Sequence, residues 1–196
     1  MFTFSLSMSI SPGPVNITIL SSSMNYGLKQ TFAFISGATI GFTALLAAVC
    51  FGLYQVISLY PILLNIITVL GTGLLVWMGW NIARAQGESI QTDQLELPKA
   101  PSFMQGALLQ WLNPKAWIAA VSGTALFSAS HNALYLFLFI LIYFVVCYLS
   151  LLIWGYAGQK LAVFLNQGSR MRVFNMVMGV LLMFIALQMS WSHFYA

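Results

Sequence analysis

The sequence predicts an all-α membrane protein with six transmembrane helices, arranged as two inverted three-helix repeats that each open on a broken helix. Three observations carry this reading. Of the 196 residues, 60% are hydrophobic and 5% charged, with a mean hydropathy of +0.90, so lipid is the solvent for most of the chain. Uncharged runs cover residues 1–28, 30–83, 100–114, 116–159 and 173–196, where a spanning helix needs about 20. Helix-breaking prolines interrupt two of these apolar segments, in "SPGPVN" at 11–16 and in "NPKA" at 113–116.

The first helix is expected at 2–24. It has no basic region ahead of its apolar core and no small-residue cleavage pattern, so it reads as part of the mature protein rather than a signal peptide. The second, at 32–57, carries Gly37 and Gly41 as a GxxxG packing face that Ala48 and Gly52 extend. The turn "SLYP" at 58–61 separates it from the third, at 62–84, where Gly71, Gly73 and Gly79 read as packing residues. A polar linker then holds all three acids, Glu88, Asp93 and Glu96, together with Pro98 and Pro101. It divides the chain into a first repeat at 1–86, a cytoplasmic linker at 87–102 and a second repeat at 103–196. The fourth helix is expected at 103–127, the fifth at 133–155 after the turn "SASHNA", and the sixth at 173–194.

Three crossings per half make the second half enter from the opposite face, so any repeat is inverted. Pro14 lies 13 residues after Met1 and Pro114 lies 13 residues after Pro101. Such a segment rises roughly 20 Å, somewhat more than half of a ~30 Å hydrocarbon core, so both breaks fall near half depth.

The net charge of +4 is distributed as an orientation signal rather than as a nucleic-acid surface. With the N-terminus outside, the cytoplasmic segments carry Lys29, Arg84, Lys99, Lys160, Arg170 and Arg172, six of the seven basic residues. Both termini are therefore predicted outside. Trp77, Trp80, Trp154 and Tyr156 then mark inner helix ends, and Tyr54, Tyr60, Trp191 and Tyr195 outer ends. Cys50 and Cys147 lie inside separate apolar spans, which does not suggest a disulfide framework.

The broken helices carry the chemistry. Pro12, Gly13 and Pro14 together unwind about a full turn, which lipid tolerates only where protein or a wet cavity covers it. The half-helix restarting at Val15 and Asn16 offers free N–H groups and a positive dipole end, suited to a carboxylate. Lys115 is a charge about a dozen residues from either end of its span, too deep to snorkel over ~18 Å. All three acids lie in the linker, so its partners are cavity water, carbonyls freed by Pro12 and Pro14, the amides of Asn16 and Asn113, or a bound anion. Pro12, Gly13, Pro14, Asn16, Asn113, Pro114 and Lys115 are the candidate substrate-binding residues. The hydroxyls of Ser21, Ser22, Ser23, Thr39 and Thr43 more commonly bond their own helix backbone.

Enzyme chemistry is not indicated. Ser122 lacks a Gly-x-Ser setting, His131 and His193 sit at helix ends, and there is no HExxH motif, no intramembrane aspartate pair and no phosphate loop. No cofactor or metal is expected. A thiol-redox conduit using Cys50 and Cys147, one in each half, is the rival reading, although both lie far along the chain from the proline motifs.

The motifs "SPGPVN" at 11–16, "YGLKQTFAFISGATIGF" at 26–42, "GTGLLVWMGW" at 71–80, and Phe103, Gly106 and "NPKA" at 113–116 resemble, in this order and over nearly the whole chain, the LysE/RhtB family of bacterial amino-acid exporters. The resemblance implies six helices, efflux of amino acids or close metabolites across the inner membrane, and self-association, for which a homodimer is the simplest form. Many members carry an acid directly after the second glycine of the GxxxG segment, whereas Phe42 follows Gly41 here. That departure points to a neutral zwitterion such as cysteine, O-acetylserine, homoserine or threonine, and the "GxxxGF" form looks like the branch exporting cysteine and O-acetylserine. Leu74 stands where the family often has tyrosine. Alternating access around the two broken helices is the implied mechanism.

Overall fold

A backbone surrounded by hydrocarbon must satisfy its own hydrogen bonds, and all regular secondary structure among the described residues is α-helical. The computed structural model describes residues 1–85, 100–127, 133–165 and 169–195. The expected acidic linker around Glu88, Asp93 and Glu96, and the turn at His131, lie outside them. The elements in order are α1 (Phe2–Ile10), α2 (Pro14–Tyr26), α3 (Leu28–Cys50), the short α4 (Leu53–Ser58), α5 (Pro61–Arg84), α6 (Phe103–Trp111), α7 (Pro114–Phe127), α8 (Ala133–Leu165) and α9 (Ser169–Tyr195).

Four of these are long and apolar enough to cross a bilayer: Leu28–Cys50, Ile62–Arg84, Ala133–Leu165 and Arg170–Tyr195. The other two predicted spans are each divided at a proline. α1 has 9 residues and α2 13; α6 has 9 and α7 14. Pro14 and Pro114 each stand first in the restarting helix, where a missing N–H costs nothing. The turn from α2 to α3 is made by Gly27 at φ 81°, a left-handed conformation that a side chain would strain.

Several expected boundaries are corrected. The second span ends at Cys50 rather than 57, because the chain turns through Gly52 at φ 104° before the short α4. Gly52 therefore does not extend the GxxxG face. α8 runs ten residues beyond the expected 155, so Trp154 and Tyr156 lie within the helix instead of marking its end, and Lys160 rides on its last turns. α6 is entered through a reciprocal cap in which Ser102 Oγ accepts from the Gln105 N–H and Gln105 Oε1 accepts from the Ser102 N–H.

The packing pattern exchanges partners between halves. The broken pair α1–α2 lies along α8, while the broken pair α6–α7 lies along α3; α3 packs on α8 and α5 on α9. Phe34, Ile35, Leu45, Leu46, Leu109, Phe139 and Leu151 are almost wholly buried where these helices meet. Phe137, Ile153, Phe164 and Phe184 face outward, as lipid-facing positions do.

Small residues set the closest approaches. A Cβ on Gly37 would collide with the Phe103 carbonyl, and one on Gly41 would stand 2.6 Å from Ala107 Cα, so the GxxxG face of α3 seats α6. Gly158 of α8 meets the Leu20 carbonyl of α2, and Gly79 of α5 packs against Gly179 of α9. Gly73 faces open space and is not a packing residue. Gly37→Val should thus cost about 1–3 kcal/mol through overpacking, whereas Gly73→Ala should be nearly neutral. Thermal unfolding of the detergent-solubilised protein checks this, and equal stability of the two variants would refute the α3–α6 contact.

Candidate functional site

Two prolines in three residues remove two backbone donors, so carbonyls near the end of α1 lose their helical partners. Each finds another. Ser11 Oγ donates to the Met8 carbonyl at 3.2 Å, and Asn16 Nδ2 donates to the Ser9 carbonyl at 2.9 Å. Trp154 Nε1 of α8 donates to the Ile10 carbonyl at 3.1 Å. Lys115 Nζ donates to the Ser11 carbonyl and to Ser11 Oγ, both at 2.8 Å, and to the Pro12 carbonyl at 3.3 Å. Gly13 O accepts from the Ile17 N–H and so begins the ladder of α2.

Lys115 is half-buried, and its three protons are directed at the broken end of α1, in the other half of the chain. Of the partners the sequence left open, the carbonyls around Pro12 are the ones it meets, and Ser11, which sequence reasoning passed over, supplies two of its three acceptors. Gly13 lies against the lysine: a Cβ there would stand 3.0 Å from Nζ. Trp154, expected as an interfacial anchor, instead caps the break.

The second break is built differently. Asn113 Oδ1 accepts from the Lys115 N–H at 3.1 Å, and the Asn113 carbonyl accepts from the Ala116 N–H at 2.9 Å, so Asn113 caps the start of α7. Trp117 Nε1 donates to the Trp111 carbonyl at 2.7 Å. The start of α2 has no side-chain cap. The N–H groups of Val15 and Asn16 therefore remain at the positive end of the α2 dipole.

A cavity of about 40 Å³ lies between the breaks, enough for roughly two or three waters. All the predicted residues except Pro12 and Pro114 line it: Gly13, Pro14, Asn16, Asn113 and Lys115. Pro12 reaches it only through its carbonyl to Lys115, and Pro114 through the helix it starts. Residues of other helices complete the wall, notably Ser9, Phe42, Gln110, Tyr143 and Cys147. Phe42 and Tyr143 are buried with ring centroids 4.5 Å apart. Ser9 is buried beside Tyr143 and Cys147. Of the five hydroxyls considered from sequence, Thr39 and Thr43 bond back to their own helix, at Ile35 O and Thr39 O, and Ser21 and Ser23 are buried away from this cavity.

The cysteines have separate surroundings. Cys50 Sγ lies 3.3 Å from Thr124 Oγ1 at the end of α3, while Cys147 is buried at the central cavity; both are free thiols. Cys147 is thus closer to the unwound turn than its place in the chain suggested.

A family model described as LysE type translocator matches residues 6–192. The cysteine/O-acetylserine efflux proteins of Salmonella choleraesuis (strain SC-B67) and Salmonella typhi are each 24% identical over 127 residues, covering 64% of this chain and 63% of theirs. That of Escherichia coli O1:K1 / APEC is 27% identical over 129 residues, again 64% of this chain and 63% of its own. The match spans less than two thirds of these relatives' length. No solved structure matches. None of these proteins is named for redox chemistry, and nothing supports the thiol conduit.

Removing the ammonium leaves the Ser11 and Pro12 carbonyls without their donor. Lys115→Met should cost about 1.5–3 kcal/mol, the range for hydrogen bonds to a charged group, and Trp154→Phe about 0.5–1.5 kcal/mol. Unfolding midpoints in detergent measure both, and a Lys115→Met protein as stable as the parent would mean that the lysine does not hold the break.

Proposed function

The chain belongs to the LysE type translocator family, and from that premise we propose that it is a secondary transporter exporting small neutral amino acids or related metabolites, such as cysteine, O-acetylserine, homoserine or threonine, across the bacterial inner membrane. The observation that carries this reading is the Lys115 ammonium set into the carbonyl cluster at the opposite break. That arrangement is complementary to a zwitterion. A substrate ammonium takes the place of Lys115 at the Ser11 and Pro12 carbonyls, and the displaced lysine meets the substrate carboxylate, with the open start of α2 beside it. Pro12, Gly13, Pro14, Asn16, Asn113, Pro114 and Lys115 form this site, Asn113 and the prolines by shaping the breaks. Phe42 at the cavity wall gives a second positive charge no counter-ion, which favours neutral substrates.

In this reading α1–α2 and α6–α7 each make one interrupted crossing, giving six crossings in two inverted repeats, residues 1–86 and 103–196, joined by a cytoplasmic linker. The matched lengths of the half-helices and the exchanged packing on α8 and α3 support it. The concentration of Lys and Arg on one side supports termini on the outside. Alternating access then rocks one repeat against the other around the central cavity. Self-association as a homodimer is part of this reading through the family resemblance.

Efflux from cells preloaded with labelled amino acids tests it. Neutral amino acids should leave faster than lysine or arginine, and Lys115→Ala at equal membrane abundance should lower export by about tenfold or more, the loss of one charge-assisted contact. The double variant Cys50→Ser, Cys147→Ser should still export. Full export by Lys115→Ala would remove the lysine from the mechanism.

A further inference from the structure

A second cavity, of about 90 Å³ and so roomier than the central one, lies between α2, α5 and the segment leading into α6. Thr18, Ser22, Asn25, Tyr26, Asn81 and Gln105 supply its polar lining, and none of its described lining residues is charged. On α2 these positions continue a stripe that begins at the central cavity: residues 14, 18, 22 and 25–26 recur at the three- and four-residue steps of one helix face. Thr18 Oγ1 donates to the Pro14 carbonyl at 2.9 Å, so the two cavities share the same turn of helix.

The lining divides into walls and free groups. Asn25 is committed: its Nδ2 donates to Ser21 O and to Asn175 Oδ1, and its Oδ1 accepts from Asn175 Nδ2 at 2.8 Å. Asn175 is fully buried and also donates to the Ala85 carbonyl, so this pair ties α2 to α9 and to the end of α5. Ser22 and Asn81 make no hydrogen bond to any described residue, although the threonines at 18, 31, 39, 43 and 72 all bond back to their own helices. Ser22 on α2 and the exposed Asn81 on α5 both border the cavity, so their polar groups are open to water or to a polar solute there.

An aromatic cluster packs on another side of the central cavity, which Phe42 and Tyr143 line. Phe4 of α1, Phe127 of α7, and Phe139 and Tyr143 of α8 form a cluster with centroids 4.7–6.4 Å apart, with Phe42 against Tyr143. A Cβ on Gly123 would stand 2.6 Å from the Phe139 ring, so α7 packs closely on the cluster there.

We propose that the α2–α5–α6 cavity is the cytoplasmic loading vestibule, a second subsite in which Ser22 and Asn81 hold a small uncharged hydrogen-bonding group of a neutral amino acid before it moves along α2 to Lys115. The proposal rests on the export reading and on its orientation. Its ligand class follows from the lining: hydroxyl and amide groups can match a hydroxyl, thiol or ester, whereas a charged side chain finds no counter-ion there.

Two measurements test the proposal. In transport kinetics, Asn81→Leu should raise the half-saturating inner concentration of O-acetylserine about two- to tenfold, the loss of one hydrogen bond, with the maximal rate unchanged. In a Cys50→Ser, Cys147→Ser background, Asn81→Cys should react with a membrane-impermeant methanethiosulfonate in inside-out vesicles and not in right-side-out ones. O-acetylserine should slow that reaction and lysine should not. Reaction only in right-side-out vesicles, or a rate indifferent to O-acetylserine at concentrations that saturate export, overturns the vestibule while leaving export standing. A parent chain that exports no neutral amino acid removes the export reading itself, and the vestibule with it.

Discussion

A carbonyl released inside a membrane must find a donor, and the arrangement around the first break follows from that requirement. Pro12 and Pro14 withhold two N–H groups within one turn. The chain answers with Ser11 and Asn16 from the same segment, Trp154 from α8 and Lys115 from the start of α7. These donors come from three places in the sequence, so the break holds together only when α1, α7 and α8 are assembled. The ammonium is retained in the membrane by the same contacts, because three acceptors replace most of its hydration.

The two halves use one plan with different finishing. Each begins with a 9-residue helix, a break and a proline-led helix, and each broken pair lies against the first long helix of the other half. Asn113 closes the start of α7 by capping it, while the start of α2 has no such cap. On the proposed reading the two kinds of group face one another: carbonyl acceptors at the end of α1 on one side, and the Lys115 donor with the open start of α2 on the other. A zwitterion has that polarity in reverse, which is the physical basis for assigning carboxylate and ammonium to opposite sides of the cavity.

Close helix contacts make the exchange of partners feasible. Gly37, Gly41 and Gly106 let α3 and α6 approach to backbone contact, and Gly158 does the same for α8 and α2. Contacts of this kind are smooth and carry few side-chain locks, so they suit surfaces that slide. The Asn25–Asn175 amide pair is one exception, and the Ser36–Tyr148 hydroxyl pair between α3 and α8 is another. The first is a specific polar tie between α2 and α9 at the end where the larger cavity lies.

Composition and spacing determined that the chain is a helical membrane protein, that helices break before Pro14 and before Pro114, and that Lys115 needs polar company. These are consequences of local chemistry: a proline withholds its N–H wherever it stands, and a charge in hydrocarbon is costly in any fold. Helix ends were less legible, since nothing in the apolar sequence stops α8 at 155, and Gly52 reads equally as a packing or a turn residue until its φ is known. Which acceptors satisfy Lys115, the conversion of Trp154 from anchor to cap, and the meeting of Phe42, Tyr143 and Cys147 at one cavity were decided by tertiary structure alone. The reason is geometric: Lys115 and Trp154 lie 104 and 144 residues from the carbonyls they serve, and periodicity reports which face of a helix is apolar without saying which other helix that face will meet.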